Sequence, residues 1–304
     1  DGTYPPECLP ELAQVAMNGS DLVIGSRMAG AQSEMPLTRR VGNFFFASLL
    51  SLVGGQHVTD SASGMRVFKR EILDRLYPLP DGLNFTPVMS TRAMHEGIRF
   101  AEIPIPYSER VGDSKLSVIR DGSRFLKSIL WTVLSYNPVR ILGTIGLLGI
   151  LLALLVSAGL VLARLDGITQ IGPWGVVALY AGLTSAVAGV SLFALGATFN
   201  YLVSLFYKRP IRQGLFGSPV FKEPLDRHFG WLGAITLLAG LVVSGASLVL
   251  GLYGWEIARL WLYLLGGAML ILVGTQLAIY WVLMRVLEQL SQREVKAQKD
   301  LQTT

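Results

Sequence analysis

Three arginines, two aspartates and one basic loop are the groups placed where they could do chemistry. Gly25-Ser26-Arg27 follows the apolar run Leu22-Val23-Ile24, so Arg27 stands at the C-terminal end of a predicted strand. That edge is where α/β sheets bind ligands. A guanidinium there can fork onto a phosphate with two hydrogen bonds, or it can serve as a surface salt bridge. Arg39 and Arg40 open a predicted helix. Cations at a helix N-terminus oppose the macrodipole unless an anion joins them, and free backbone N–H groups are there to help bind one. Asp60 lies in TDSASG at 59–64, a small-residue turn. Backbone can approach a substrate closely in such a turn, and the carboxylate can position a hydroxyl or accept a proton. The same residue can equally serve the turn alone. In YSERVGDSKL at 107–116, Arg110 and Lys115 flank Gly112 and form a loop suited to gripping a phosphate. Asp1, at the start of DGTYPPE, is a carboxylate that can hold a hard divalent cation bridging diphosphate oxygens. His57, His95 and His228 show no metal-ligand spacing and read as surface residues. No nucleophile elbow, Walker loop or Cys–His cluster is present in the sequence.

The elements that must carry these groups alternate. PPECLPELAQVAMNGS predicts a helix with proline at its start and Gly19 near its end. DLVIGSR predicts a short buried strand, and TRRVGNFFFASLLSLVGG a helix stopped by two glycines. SGMRVFKR reads as a strand running into the short helix REILDRL, FTPVMSTRAMHEG as a helix, and RFAEIPIPY as a strand. This is an α/β layer pattern that opens on a helix with no strand before it, as in a sheet missing its first strands. With no initiator Met and a start at DGTYPPE, the reading expects a cut within a domain and expects this stretch alone to be inactive.

Of the 304 residues 51% are hydrophobic and only 15% charged, well below the roughly one quarter usual in globular domains. The charge is concentrated before residue 140. Four apolar runs, at about 141–163, 174–203, 230–253 and 260–284, each reach the ~20 residues needed to cross a bilayer. The 207–229 connection and the C-terminal tail carry most of the remaining Lys and Arg, whereas the other two connections offer only Arg164 and Arg259. That asymmetry predicts a multi-pass integral membrane protein with the N-terminal domain, the central loop and the C-terminus in the cytoplasm. Gly182, Gly189 and Gly196 recur at seven-residue spacing and predict close helix packing. No charged residue or His falls in the middle of a span, which argues against an ion pathway. Between the two halves, DGSRFLKSILWTVLSYNPVR is amphipathic: Ile119, Phe125, Ile129 and Val133 share one face, and Arg120, Arg124 and Lys127 the other. It predicts a helix lying in the headgroup plane, with a core helix of the N-terminal domain as the alternative. The net charge of +5 does not read as a nucleic-acid signal, because the basic residues flank apolar runs rather than interleaving with aromatics along a stripe. One cysteine, Cys8, cannot form an intrachain disulfide.

In order, DGTYPPE, DLVIGSR, the TRRVGN helix start, TDSASGMRVFKRE, RFAEIPIPYSER and VGDSKL resemble the polyprenyl-phosphate glycosyltransferases, the dolichol-phosphate mannose synthase-like members of the family-2 glycosyltransferases with a GT-A fold. The likeness covers about residues 1–136, and the rest resembles the four-helix anchors some members carry. The architecture this implies is the C-terminal part of a GT-A domain (Rossmann-like sheet) at 1–117, an interface helix at 118–137, a four-helix transmembrane domain at 138–286 and a cytoplasmic tail at 287–304. The resemblance implies transfer of a hexose, mannose or glucose, from a nucleotide-sugar donor to a membrane polyprenyl phosphate, with inversion. It implies Mg²⁺ or Mn²⁺ on an Asp-x-Asp element, with Asp1 matching the second Asp. Arg27, Arg39, Asn43, Arg110 and Lys115 match acceptor-phosphate positions. Asp60, as catalytic residue, with Ser63 and Gly64, matches the family's Asp-x-x-Ser-Gly turn. Alanine at Arg27 or Arg39 is then expected to impair transfer while leaving the chain folded. Homo-oligomerisation is left open. The alternatives are a processive polysaccharide synthase, whose Gln/Arg-x-x-Arg-Trp element is not found, and a non-catalytic membrane scaffold.

Overall fold

The chain is described by a computed structural model at residues 2–30, 33–108, 117–168, 172–207 and 225–302. It divides into two units, Asp1–Tyr136 and Asn137–Thr304.

The N-terminal unit is built on a three-stranded sheet in the order β2-β1-β3. β1 (Leu22–Ser26) is buried along its whole length. It pairs in parallel with β3 (Phe100–Pro104) and antiparallel with β2 (Arg66–Phe68). The sheet is therefore mixed. Parallel pairing of β1 with β3 needs a long crossover, supplied by α2 (Leu37–Gly54), the short α3 (Leu73–Leu76) and α4 (Phe85–His95). Leu22 and Ile24 point to one face, packing with Ile72, Leu76, Met89 and Ile98. Val23 points to the other, where it meets Leu12 and Ala16 of α1 (Leu9–Met17) together with Ile103 and Ile105. Two buried faces explain why β1 reads as an unbroken apolar run.

Asp21 ties the starts of β1 and β3 to the end of β2. Its backbone N–H donates to Arg99 O at 2.7 Å and its carbonyl accepts from Lys69 N–H at 3.0 Å. Its carboxylate pairs with Lys69 at 3.0 Å and Arg99 at 3.1 Å. Hydrogen bonds from Arg99 and then Lys69 hold that carboxyl down from 3.8 to about 2.

α2 has two faces. Asn43, Ala47, Leu50 and Val53 are buried. Leu37, Val41, Phe44, Phe45 and Leu52, spaced as one helical stripe, are exposed. Gly55, at φ 76° in the left-handed region, ends the helix.

α5 (Val118–Tyr136) is the amphipathic segment. Its apolar face is turned inward: Ile129 and Val133 are fully buried, and the helix packs on α4. The expected headgroup-plane face is thus in part a core face of the N-terminal unit, and Ile119 and Trp131 stay exposed. His95, expected at the surface, is buried and its ring stacks on Tyr136 with centroids 5.2 Å apart. α4 buries nearly every residue from Pro87 to His95, so its sequence shows no polar face to betray the side on which a histidine lies.

The second unit holds α6 (Pro138–Leu165), α7 (Pro173–Tyr207), α8 (Phe229–Leu252) and α9 (Ile257–Gln302). Four stretches are long and apolar enough to cross a membrane: Pro138–Leu165, Pro173–Phe206, Phe229–Leu252 and Arg259–Leu290. The tail continues α9 as helix to Gln302. α6 packs along α7 and α8 along α9, with α7 and α9 also in contact. A Cβ at Gly189 would lie 2.8 Å from Gly146 O and Ile150 N, and one at Gly146 2.6 Å from Gly189 O. The glycine spacing in α7 therefore marks close helix approach, as van der Waals packing in lipid requires. Gln276 Nε2 donates to Ser191 Oγ at 2.9 Å and links α9 to α7. Trp174, Trp231 and Trp255 stand exposed near helix ends.

Asp21 has a depressed folded-state pKa, so its contribution to stability is present above 3.8 and is lost as pH falls through about 2. Thermal unfolding followed from neutral pH into that acid window should show the loss, and Asp21→Asn should reduce the acid dependence.

Candidate functional site

The site grows from the C-terminal end of β1. Ser26 and Thr59 share a hydrogen bond of 2.7 Å. Ser26 Oγ also accepts from the N–H groups of Met28 and Ala29, which turns the chain sharply after the strand. Across from it Glu102, a carboxylate within β3, accepts from Thr59 N–H at 2.8 Å, the Thr59 hydroxyl at 2.8 Å and Asp60 N–H at 3.1 Å. These contacts bring the 59–64 turn against the end of β1.

Arg27 and Asp60 then meet as a buried pair. Arg27 Nε donates to Asp60 Oδ2 at 2.7 Å and Nη2 to Oδ1 at 2.8 Å, and the Arg27 backbone N–H also reaches Oδ2 at 3.0 Å. Asn43 Nδ2 donates to Oδ1 at 2.9 Å, and Ala62 N–H lies 3.3 Å from the same oxygen. The carboxylate is fully buried, and these contacts occupy its roughly four lone-pair sites. Burial alone would push the Asp60 carboxyl up, but Arg27 and Asn43 outweigh it and the net shift is downward. Burial likewise works to lower the Arg27 guanidinium, and Asp60 turns the net shift upward. The pair is ionised. Tyr4 and Tyr107 flank the guanidinium, with ring centroids 5.7 and 5.6 Å from its central carbon. The Tyr4 hydroxyl accepts from Gly64 N–H at 3.0 Å.

A second arginine supports the turn from behind. Arg66 donates to Ser63 O and Ser61 O, each at 2.8 Å. Burial pulls its guanidinium down to about 10, with Asp60 opposing. Ser63 donates to Gly25 O at 2.5 Å and is fully buried.

A cavity of about 400 Å³ opens beside this framework. Arg27, Arg39, Asn43 and Gly64 line it together. Phe46, Leu83 and Phe125 supply an apolar wall. Arg39 has no carboxylate partner among the described residues. The arrangement offers one cation fixed by a buried pair and a second cation open to an anion, next to a surface that accepts hydrocarbon. Asp60 and Ser63 do not line the cavity; they hold its wall. Arg110, Lys115 and Asp1 lie outside the described residues. Among the described residues no group of three or more His, Cys, Asp or Glu could hold a metal ion.

Sequence reasoning missed Tyr4, Tyr107, Glu102 and Arg66. Glu102 carried a signal: a carboxylate inside the apolar strand FAEIP asks for a buried partner. It also expected Arg27→Ala to fold normally. The contacts predict a cost to folding instead, because the change leaves Asp60 charged, buried and without its main partner.

Asp60→Asn, which keeps shape and removes charge, should destabilise the N-terminal unit by about 3–5 kcal/mol through the uncompensated Arg27. Arg27→Ala should do the same. The double variant Arg27→Met with Asp60→Leu should lose less than either single change, as read by denaturant unfolding of the chain in detergent.

Comparisons with known proteins give the following similarities. The family model described as Domain of unknown function (DUF8752) matches residues 138–298, more than half of the chain. A dolichyl-phosphate hexose transferase of Haloferax volcanii is 36% identical over 130 residues, 43% of this chain and 57% of the relative. A low-salt glycan biosynthesis hexosyltransferase, Agl6, of the same organism is 29% identical over 257 residues, 81% of this chain and 58% of the relative. An undecaprenyl-phosphate 4-deoxy-4-formamido-L-arabinose transferase of Klebsiella pneumoniae is 27% identical over 221 residues, 72% of this chain and 65% of the relative. The chain thus spans less than two thirds of the length of each of these relatives. It belongs to the family described as Domain of unknown function (DUF8752), and over part of their length it is similar to curated polyprenyl-phosphate sugar transferases.

Proposed function

We propose that the protein transfers a hexose, mannose or glucose, from a nucleotide-sugar to the phosphate of a membrane polyprenol, with inversion at the anomeric carbon, at the cytoplasmic face of the membrane. The observation that carries the reading is the convergence of Arg27 and Arg39, from separate elements, on one cavity with an apolar wall. The relatives' activities and the four apolar helices support it. The exposed stripe Leu37, Val41, Phe44, Phe45 and Leu52 lies on the same helix as Arg39 and supports a site at a lipid surface. The mixed sheet is taken as the acceptor-side part of a GT-A fold.

The acceptor phosphate is already anionic near neutral pH, so its attack needs little proton abstraction. One phosphate oxygen forms the bond to the anomeric carbon, and the bond from that carbon to the donor diphosphate breaks with its electron pair leaving on the nucleotide. The chain's task is to hold two anions together. Arg39 and the remaining N–H groups of Arg27 compensate the acceptor charge in a fixed geometry. Asp60 acts as a positioning residue: its oxygens are engaged in holding Arg27 and Asn43. Arg110 and Lys115 are assigned to the same acceptor phosphate by the motif resemblance. Mg²⁺ or Mn²⁺ bound through Asp1 would screen the departing diphosphate. The described residues do not build that metal site, and no step is assigned to it.

Arg39→Ala is the clean test, since Arg39 pairs with no carboxylate among the described residues and its loss leaves no charge stranded. In membranes holding the protein and given labelled nucleotide-hexoses, a single sugar on polyprenyl phosphate is the expected product. The variant should cut its formation about tenfold with unfolding unchanged. Normal turnover by the variant would remove Arg39 from the site, and a polymeric product would favour a processive synthase.

A further inference from the structure

The helical unit contains a second cavity, of about 440 Å³, within the range of roughly 300–1,000 Å³ usual for ligand pockets. It lies at the end of the bundle that carries the 166–172 and 253–256 connections, between the last turns of α6 and the first turns of α9. Its wall is almost wholly hydrocarbon, with Leu160, Leu179, Leu183, Val243, Leu262 and Met269 drawn from all four helices. Among the described residues the one formal charge in the lining is Arg164.

Arg164 is not simply reaching for water, as a cation near a span end commonly does. Its Nη2 donates to Arg259 O at 3.1 Å, and its guanidinium carbon stands 5.9 Å from the Tyr263 ring centroid. Its Nη1 is buried and has no hydrogen-bond partner among the described residues. Among the described residues no carboxylate lines the cavity, and the nearby Glu256 is paired with Arg259 at 3.7 Å. A buried guanidinium nitrogen with unspent donors calls for an acceptor, and a planar cation suits the oxygens of a phosphate. The rest of the cavity offers only dispersion contacts to whatever carries that phosphate. Both requirements are met by one amphiphile. We propose that this cavity holds the chain of a membrane lipid whose phosphate headgroup is bound by Arg164. The site is independent of the sugar-transfer reading, because none of its residues belongs to the N-terminal unit.

The test uses the whole chain in phosphatidylcholine nanodiscs containing a small fraction of phosphatidylglycerol with a photoactivatable acyl chain. Labelling is mapped by peptide mass spectrometry, and a phosphatidylcholine probe with the same chain serves as comparison. The anionic probe should label cavity residues such as Tyr263 and Met269 about tenfold more than the zwitterionic one. Arg164→Gln should abolish that preference and Arg164→Lys should keep part of it. Gly266 lines the cavity and a Cβ there meets open space, so Gly266→Leu adds bulk at its wall and should suppress labelling while Arg164 is intact. Equal labelling by the two probes overturns the proposal, as does labelling indifferent to Gly266→Leu. Displacement by millimolar inorganic phosphate would make this a site for the free ion and also overturn it. If Arg164→Gln fails to fold, the probe comparison on the unaltered chain and the Gly266→Leu variant decide.

Discussion

The buried pair of Arg27 and Asp60 is the contact on which the N-terminal unit is organised. Taking two charges out of water costs several kcal/mol per ion, and the attraction between them offsets this only when the geometry is good and every remaining polar site is filled. Here the geometry is bidentate, and the backbone N–H of Arg27, the amide of Asn43 and the N–H of Ala62 complete the carboxylate. Each partner comes from a different place: the end of β1, the middle of α2 and the 59–64 turn. Satisfying one carboxylate therefore fixes three parts of the chain against one another. Glu102 and Arg66 extend the same logic, one gripping the N–H groups at the start of the turn and the other the carbonyls at its end.

That rigidity gives the two cavity arginines different characters. Arg27 is held by its pair and flanked by Tyr4 and Tyr107, so little of its freedom is left to lose when an anion arrives. Arg39 lies on α2 one turn before Asn43, and Phe46 follows on the same side. The helix thus presents a cation, an amide and an aromatic ring to the cavity, while its opposite stripe of Leu37, Val41, Phe44, Phe45 and Leu52 faces outward. One helix presents polar groups to the cavity and apolar ones outward because its 3.6-residue period separates the two sets of side chains.

In the helical unit the constraint is different. Lipid is as apolar as leucine, so burial of hydrocarbon does not hold the helices together, and contact must come from close backbone approach and a few polar links. Gly146 against Gly189, Gly233 against Gly274 and the hydrogen bond from Gln276 to Ser191 supply these.

The sequence alone determined what local periodicity and composition can carry. The four apolar helices, the buried strand at Leu22–Ser26, the position of Arg27 at that strand's C-terminal end and the helix ending at Gly54-Gly55 were legible because each depends on residues close in the chain. Order and spacing of motifs also carried the family resemblance. Tertiary structure alone decided what each group touches. It gave Asp60 to Arg27 rather than to open solvent, put His95 under Tyr136, turned the apolar face of α5 onto α4 and paired β2 antiparallel to β1. These outcomes rest on partners far apart in the chain, 41 residues between His95 and Tyr136 and 46 between Leu22 and Phe68. Charge pairing in a low-dielectric interior is settled by distances that a pattern of residue types does not contain.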